Sequence, residues 1–223
     1  MTPLEAHFDF KIKSDAVQAL SNRSYTAQEI DWLLKTAQLD YIRRALSKLP
    51  PNYLEKDTQS MEDISTLHIR NEEHILTNTD GVYTLDTSEL NNKMMLPTRI
   101  RVRKLGCDIW YGVPFRQSSD IDRWQDSPFE SKPIATLGKG EPSSIFIYSK
   151  FPVDNIKIDY IKEPSNPYLG TYTYIDGTTP TPTPLELPSH IHQRVVDLAV
   201  EQAQRIVGSP ITNATSNYIQ LNQ

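Results

Sequence analysis

Two stretches with helical periodicity, residues 26–49 and 187–208, flank a middle of short alternating segments, and this arrangement limits the folds open to the chain. A helix with an apolar stripe must bury it against another element, so the two helices are expected to pack on each other with the middle looped out between them. Thr26-Ala27-Gln28-Glu29 has the spacing of a capping box, and Tyr25 is placed to staple onto Ile30. Ile30, Leu33, Leu34, Ala37, Tyr41, Ala45 and Leu49 then recur at three- and four-residue spacing until Pro50-Pro51. Trp32, Leu39, Ile42 and Leu46 make a second apolar strip, which implies a neighbour on another side. The later helix opens at Leu187-Pro188-Ser189, carries Ile191, Val195, Leu198, Ala199, Ala203 and Ile206 on one side, and closes with Gly208 before Pro210.

Residues 57–66 suit a short helix, and beyond His68 the chain changes to strand-like segments. Asp80-Gly81 is a hairpin dipeptide between Ile75-Leu76 and Val82-Tyr83. Strands are expected over residues 98–105, 109–113, 144–149 and 155–161. Residues 178–184 read Thr-Thr-Pro-Thr-Pro-Thr-Pro, an extended polyproline-like strut that cannot be helical. The last stretch, 209–223, has no charged side chain and holds Ile211, Tyr218, Ile219 and Leu221. The expected class is α+β: a small helical bundle of the long N-terminal and the C-terminal helix, with an inserted β-rich domain and an extended C-terminal tail. Its parts are an N-terminal helical part (1–66), a β-rich lobe (67–177), a Thr/Pro linker (178–186), the C-terminal helix (187–208) and the tail (209–223).

Eight glycines against sixteen prolines test the phosphate-cradling enzymes directly. The Gly138-Lys139 pair is followed by Gly140 instead of a hydroxyl residue, and Ser143 stands where a dinucleotide fingerprint needs its third glycine. A single cysteine, Cys107, excludes an intramolecular disulfide and a multi-cysteine metal site. Met1 to Lys13 contains no apolar signal core and no stretch approaches a membrane span, so a protein made in the cytoplasm without a membrane partner is expected. A net charge of -5 argues against general nucleic-acid affinity. His190 and His192 point about 200° apart on a helix and cannot chelate one ion there. No Gly-x-Ser-x-Gly elbow occurs. Asp120, Asp122, Asp126 and Glu130 lack EF-hand spacing and suit a solvated loop. No catalytic residue, metal ligand or cofactor site is expected, and the chain is not expected to be an enzyme.

The candidate sites are therefore surfaces. In the strand Arg99-Ile100-Arg101-Val102-Arg103, Arg99, Arg101 and Arg103 share one face by the period-two rule. Such a face could contact phosphates or an acidic partner subunit, or pair with acids on neighbouring strands. Trp110, Tyr111, Phe115 and Trp124 follow closely and suit either a β core or a protein-binding surface. Arg99, Arg101, Arg103, Trp110, Tyr111, Trp124 and the tail residues Ile211, Tyr218, Ile219 and Leu221 are thus the interface candidates.

A family likeness rests on several of these segments. Phe151-Pro152, then Ile156-Lys157-Ile158-Asp159-Tyr160-Ile161-Lys162-Glu163-Pro164, and the run from Leu187-Pro188-Ser189 through Val195-Val196-Asp197-Leu198-Ala199 to Ala203 resemble the C-terminal half of head-tail adaptor proteins of tailed bacteriophages. Met95-Leu96-Pro97-Thr98-Arg99 is similar in the same way, and the overall pattern is nearest to the ring proteins of crAss-like phages. The likeness covers about residues 95–208. The loop over 117–134 and the Thr-Pro strut depart from it. It implies a virion structural protein: a dodecameric connector ring between portal and tail, which prolongs the DNA channel and docks tail components. The implied partners are other copies of the chain, the portal protein, downstream tail proteins, and packaged DNA that passes during ejection without sequence-specific binding. The alternative from the residues alone is a tail or baseplate adhesion module that binds host-surface glycan through Trp110, Trp124 and the Asp-rich loop.

Overall fold

The computed structural model describes residues 1–17, 24–47, 62–79, 81–127, 131–138, 144–173 and 177–207. In chain order the elements are α1 (Pro3–Val17), α2 (Ala27–Ser47), β1 (His68–Ile75), β2 (Thr77–Thr79), β3 (Val82–Asp86), β4 (Met94–Lys104) and β5 (Trp110–Val113). There follow α3 (Ile121–Asp126), β6 (Ile134–Leu137), β7 (Ser144–Tyr148), β8 (Val153–Lys162) and α4 (His192–Val207). The class is α+β. The chain divides into two compact units, one made of Met1–Thr66 with Pro164–Gln223, the other of Leu67–Glu163.

In the helical unit, two capping boxes start the first two helices. At α2 the Thr26 N–H donates to the Glu29 carboxylate at 2.8 Å and the Glu29 N–H donates to the Thr26 hydroxyl at 3.3 Å. Thr2-Pro3-Leu4-Glu5 makes the same pair of bonds at α1, at 2.8 and 3.2 Å, with Pro3 at the first helical position, where its missing N–H costs nothing. Within the helical part expected over 1–66, no individual helix was placed over residues 3–17. Tyr25, expected to staple onto Ile30, meets Phe10 of α1 edge-on at 5.5 Å with its ring and donates to the Ala203 carbonyl of α4 with its hydroxyl.

The α2 residues Ile30, Leu33, Leu34, Ala37, Ile42 and Ala45 are buried, as are Val195, Val196, Ala199, Val200 and Ala203 of α4. The second strip of α2 divides: Ile42 is buried, whereas Trp32 is exposed. Ile206, expected on the apolar side of α4, is also exposed. That helix begins at His192, after a turn over residues 189–191, instead of at Leu187. Asp9 meets Gln193 at 3.3 Å once the Gln193 amide is turned, and Lys13 pairs with Asp197 one turn further along both helices. The two helices therefore run parallel.

Polar side chains of α2 hold the segment that leads into α4. Asp31, 3% exposed, meets His7 Nε2 of α1 at 2.6 Å, and accepts from the Tyr172 hydroxyl at 2.6 Å and the Leu169 N–H at 3.2 Å. Two turns on, Gln38, 1% exposed, donates to the Ser165 carbonyl at 3.1 Å and accepts from the Glu186 N–H at 3.4 Å. Glu186 in turn accepts from the Ser165 N–H at 2.7 Å. Next, Tyr41 donates to Asp63 at 2.6 Å, and the same carboxylate meets His190 at 3.2 Å. Burial and this carboxylate push the Tyr41 hydroxyl up to about 12.

The β unit therefore ends at Glu163, earlier than the expected limit of 177, and residues 164–173 belong with the helices. The Thr-Pro strut is extended and non-helical as expected, but it is pinned: Tyr168 and Thr183 exchange both backbone bonds at 2.9 Å. Gly170 (φ +75°) lies so close to this strut that a Cβ there would stand 2.5 Å from Pro182 Cγ. Only glycine fits that approach.

In the β unit, two four-stranded antiparallel sheets of order β1-β8-β4-β5 and β2-β3-β7-β6 form among the described residues. Both contribute to one core, with Ile100, Val102, Ile156, Ile158 and Tyr160 from the first and Leu85, Ile145, Ile147 and Ala135 from the second. Four of the strands lie close to their expected positions. β2 and β3 pair as a hairpin with Thr79 opposite Val82 and Gly81 at φ +83°, while Asp80 of the expected turn dipeptide lies outside the described residues. The hairpin's first strand is Thr77–Thr79, while Ile75 ends β1 in the other sheet. The strands β1 and β6 were not expected. Of the predicted helix over 57–66, residues 57–61 lie outside the described part, Glu62 and Asp63 are helical, and Ser65–Leu67 form a short 3-10 turn.

Candidate functional site

The arginine strand sits inside the first sheet with neighbours on both sides, so its outward face is a row of cross-strand pairs. Ile100 and Val102 point into the core, leaving Arg99, Arg101 and Arg103 on the opposite face as the alternation requires. The register then sets acids beside the bases. Arg103 Nε donates to both oxygens of Asp154 of β8, at 3.0 and 3.2 Å, and its Nη2 lies 3.0 Å from Oδ2. This pairing holds the Asp154 carboxyl below the usual carboxylate range and raises Arg103.

Arg101 lies 3.5 Å from Asp159 of β8 and donates to Asn71 of β1. Asn71 occupies the left-handed region (φ 58°) at an irregularity of β1, and its N–H donates to Asp159 at 2.7 Å. That bulge lets one carboxylate serve two strands. Lys157 of β8 lies 3.6 Å from Glu73 of β1 and 4.1 Å from the centroid of the Trp110 ring, which Arg103 also approaches at 5.8 Å. The face is a charge lattice satisfied mostly within the sheet, the cross-strand arrangement weighed from sequence. Arg99 is its exposed member, with no side-chain hydrogen bond or ion pair among the described residues.

The aromatic candidates separate. Tyr111 pairs with Val102 in register and packs on the β core, its ring 5.0 Å from Phe151. Trp124 is 6% exposed: α3 turns it inward, and its Nε1 donates to the Lys132 carbonyl at 2.9 Å. Trp124 is therefore a core residue, and as an interface candidate it is corrected: a side chain that buried has little face left for a partner. Tyr111 is only partly buried, as is Trp110, whose ring lies on the charged face. A shallow depression beside α3 is lined by Arg116, Asp120, Arg123, Trp124 and Ile134. The tail candidates Ile211, Tyr218, Ile219 and Leu221, and the Gly208 cap, lie outside the described residues.

No group of three or more His, Cys, Asp or Glu residues arranged to hold a metal ion occurs among the described residues. His190 meets Asp63, while His192 Nε2 donates to the Leu187 carbonyl at 2.6 Å, so the two diverge. Burial lowers the pKa of His192, and its Nδ1 has no partner. Glu72 of β1 accepts from the Tyr160 hydroxyl at 2.7 Å and the Asn91 N–H at 2.9 Å, and it meets His74 at 2.9 Å. Burial and that carboxylate push the Tyr160 hydroxyl up to about 12. Among the described residues, no helix is long and apolar enough to cross a membrane.

The surface that sequence reasoning missed is on α1. Its inner side buries Ala6, His7, Phe10 and Ser14, yet Leu4, Phe8 and Ile12 are 68, 64 and 52% exposed. At i, i+4 and i+8 these three form one line. The missed signal was the Thr2–Glu5 capping box, since a helix apolar on two sides shows no single periodic face. The chain matches no family model and no curated protein.

Proposed function

We propose that this protein is a structural subunit of a virion: a head-tail adaptor that assembles as a closed, dodecameric ring between portal and tail. In this proposal the three long helices are a small bundle and the β unit is a domain inserted into it. The observation that carries the proposal is the line Leu4-Phe8-Ile12 on α1, exposed among the described residues. Exposed apolar residues scattered singly need no explanation, but three in register on a helix otherwise built into its unit mark a surface made for another protein. The likeness of residues 95–208 to phage connector proteins gives that surface a context. The charge lattice fits the same role. A face whose cations are mostly engaged by Asp154, Asp159 and Glu73 is poorly suited to gripping phosphates, and with the net charge of -5 it suits a wall past which DNA slides. The adhesion alternative gains nothing comparable, because Trp124 is buried and the Trp110 ring is engaged by Lys157 and Arg103.

Light scattering and negative-stain imaging of the purified chain, alone and with its portal, test the proposal. Closed rings of uniform size are expected. A chain that stays monomeric at micromolar concentration with and without portal, or one that forms only open filaments, overturns it.

A further inference from the structure

Taking the ring above as its premise, we propose that residues 209–223 of one copy lie along the Leu4-Phe8-Ile12 line of the next copy's α1. Leu4, Phe8 and Ile12 are exposed among the described residues, so whatever covers the line is a segment beyond them; the ring premise supplies it from the next copy. The uncharged segment 209–223 continues directly from the region where α4 ends and supplies Ile211, Tyr218, Ile219 and Leu221. Such a segment has little to gain from water and offers apolar groups to cover apolar groups.

Dimensions agree. Extended chain covers about 3.3 Å per residue, so a segment of this length reaches roughly 50 Å, several times the ~12 Å from Leu4 to Ile12 along a helix. In an extended strand Ile219 and Leu221 fall on one side about 6.6 Å apart, close to the ~6 Å between residues one turn apart on α1. Phe8, in the middle of the line, is the anchor such a contact centres on. Because the donor segment and the acceptor helix are different surfaces, the contact is heterologous, the type that closes into a ring.

The test uses full-length chain in a Cys107→Ser background. Phe8→Cys and Ile219→Cys are made separately, mixed, and oxidised mildly. Covalent dimers joining the two variants are expected, at several times the yield from Ile219→Cys mixed with Arg43→Cys, which places the thiol on exposed α2 surface. Equal yields, or no dimer, overturn the inference. Phe8→Glu, a change at an exposed position, is expected to weaken self-association at least tenfold; unchanged association also overturns it. Rings that form without the Phe8–Ile219 link refute this contact and leave the ring standing. Cross-linking within open filaments keeps this contact and refutes the ring.

Discussion

The two units solve the placement of polar side chains in opposite ways. The helical unit buries them: Asp31, Gln38, His7, Gln204, Glu201 and His192 all lie inside it, whereas the β unit buries Asp159 and Thr136 and keeps most of its charges on an outer face. The difference follows from how each is built. The β unit is one continuous stretch whose strands satisfy their own backbone, so its interior can be apolar. The helical unit must hold residues 164–173 and 177–187, whose backbones meet in a single bridge, Tyr168–Thr183, and buried side chains of α2 supply further partners. Polar burial here solves a problem of chain routing, and the cost of breaking it differs accordingly.

The largest effect should come from Asp31→Ala. It strands His7 Nε2, the Tyr172 hydroxyl and the Leu169 N–H together, and a loss of about 3 kcal/mol in urea unfolding is expected. A loss below about 1 kcal/mol would mean that the hub is wet and the contrast between the units is weaker than drawn.

An intermediate effect should appear on acidification, and in the helical unit first. Burial lowers the pKa of His192, so the folded state prefers the neutral ring while the unfolded chain takes up a proton near pH 6.5. Stability is full above that pH and falls as pH drops through it. In the β unit, hydrogen bonds to Glu72 and the Arg103 partner of Asp154 hold these carboxyls low, so their contribution persists until pH falls through about 4. Hydrogen exchange at pH 5.5 should therefore loosen residues 187–207 before β8. The reverse order would place the acid-sensitive group elsewhere, and a His192→Asn chain should show no such early loosening.

The smallest effect should come from Arg103→Ala, which removes a partly exposed surface ion pair whose partner stays in reach of water. The unfolding midpoint is expected to stay within error of the parent. A clear drop would show that the outer lattice supports the β unit as the buried hub supports the helical one.

What could be read in advance followed local rules. The Thr26 capping box and the spacing of Ile30, Leu33, Leu34 and Ala37 located α2, and alternation placed Arg101 and Arg103 outward. The partners of those arginines could not be read, because Asp154 and Asp159 come from a strand some fifty residues later, and only register brings them across. Most residues of β1 are polar, as suits an edge strand with one bulge, so it carries little strand signal. The hub was invisible for a similar reason. Asp31 looks like a solvent-facing helical acid until residues 169 and 172 are folded over it.

The division of the helical unit between two outer stretches of chain sets a timetable on the ribosome. Everything needed for the β unit has been synthesised once Glu163 is added, but the hydrophobic sides of α1 and α2 wait for α4, which is translated last of the three. At roughly 5–20 residues per second that is a wait of a few seconds. During it, nascent chains on one messenger display both the inner and the outer apolar faces of α1 to each other. A chaperone that binds short apolar helices would find its substrate in that interval, and the arrival of α4 would end it.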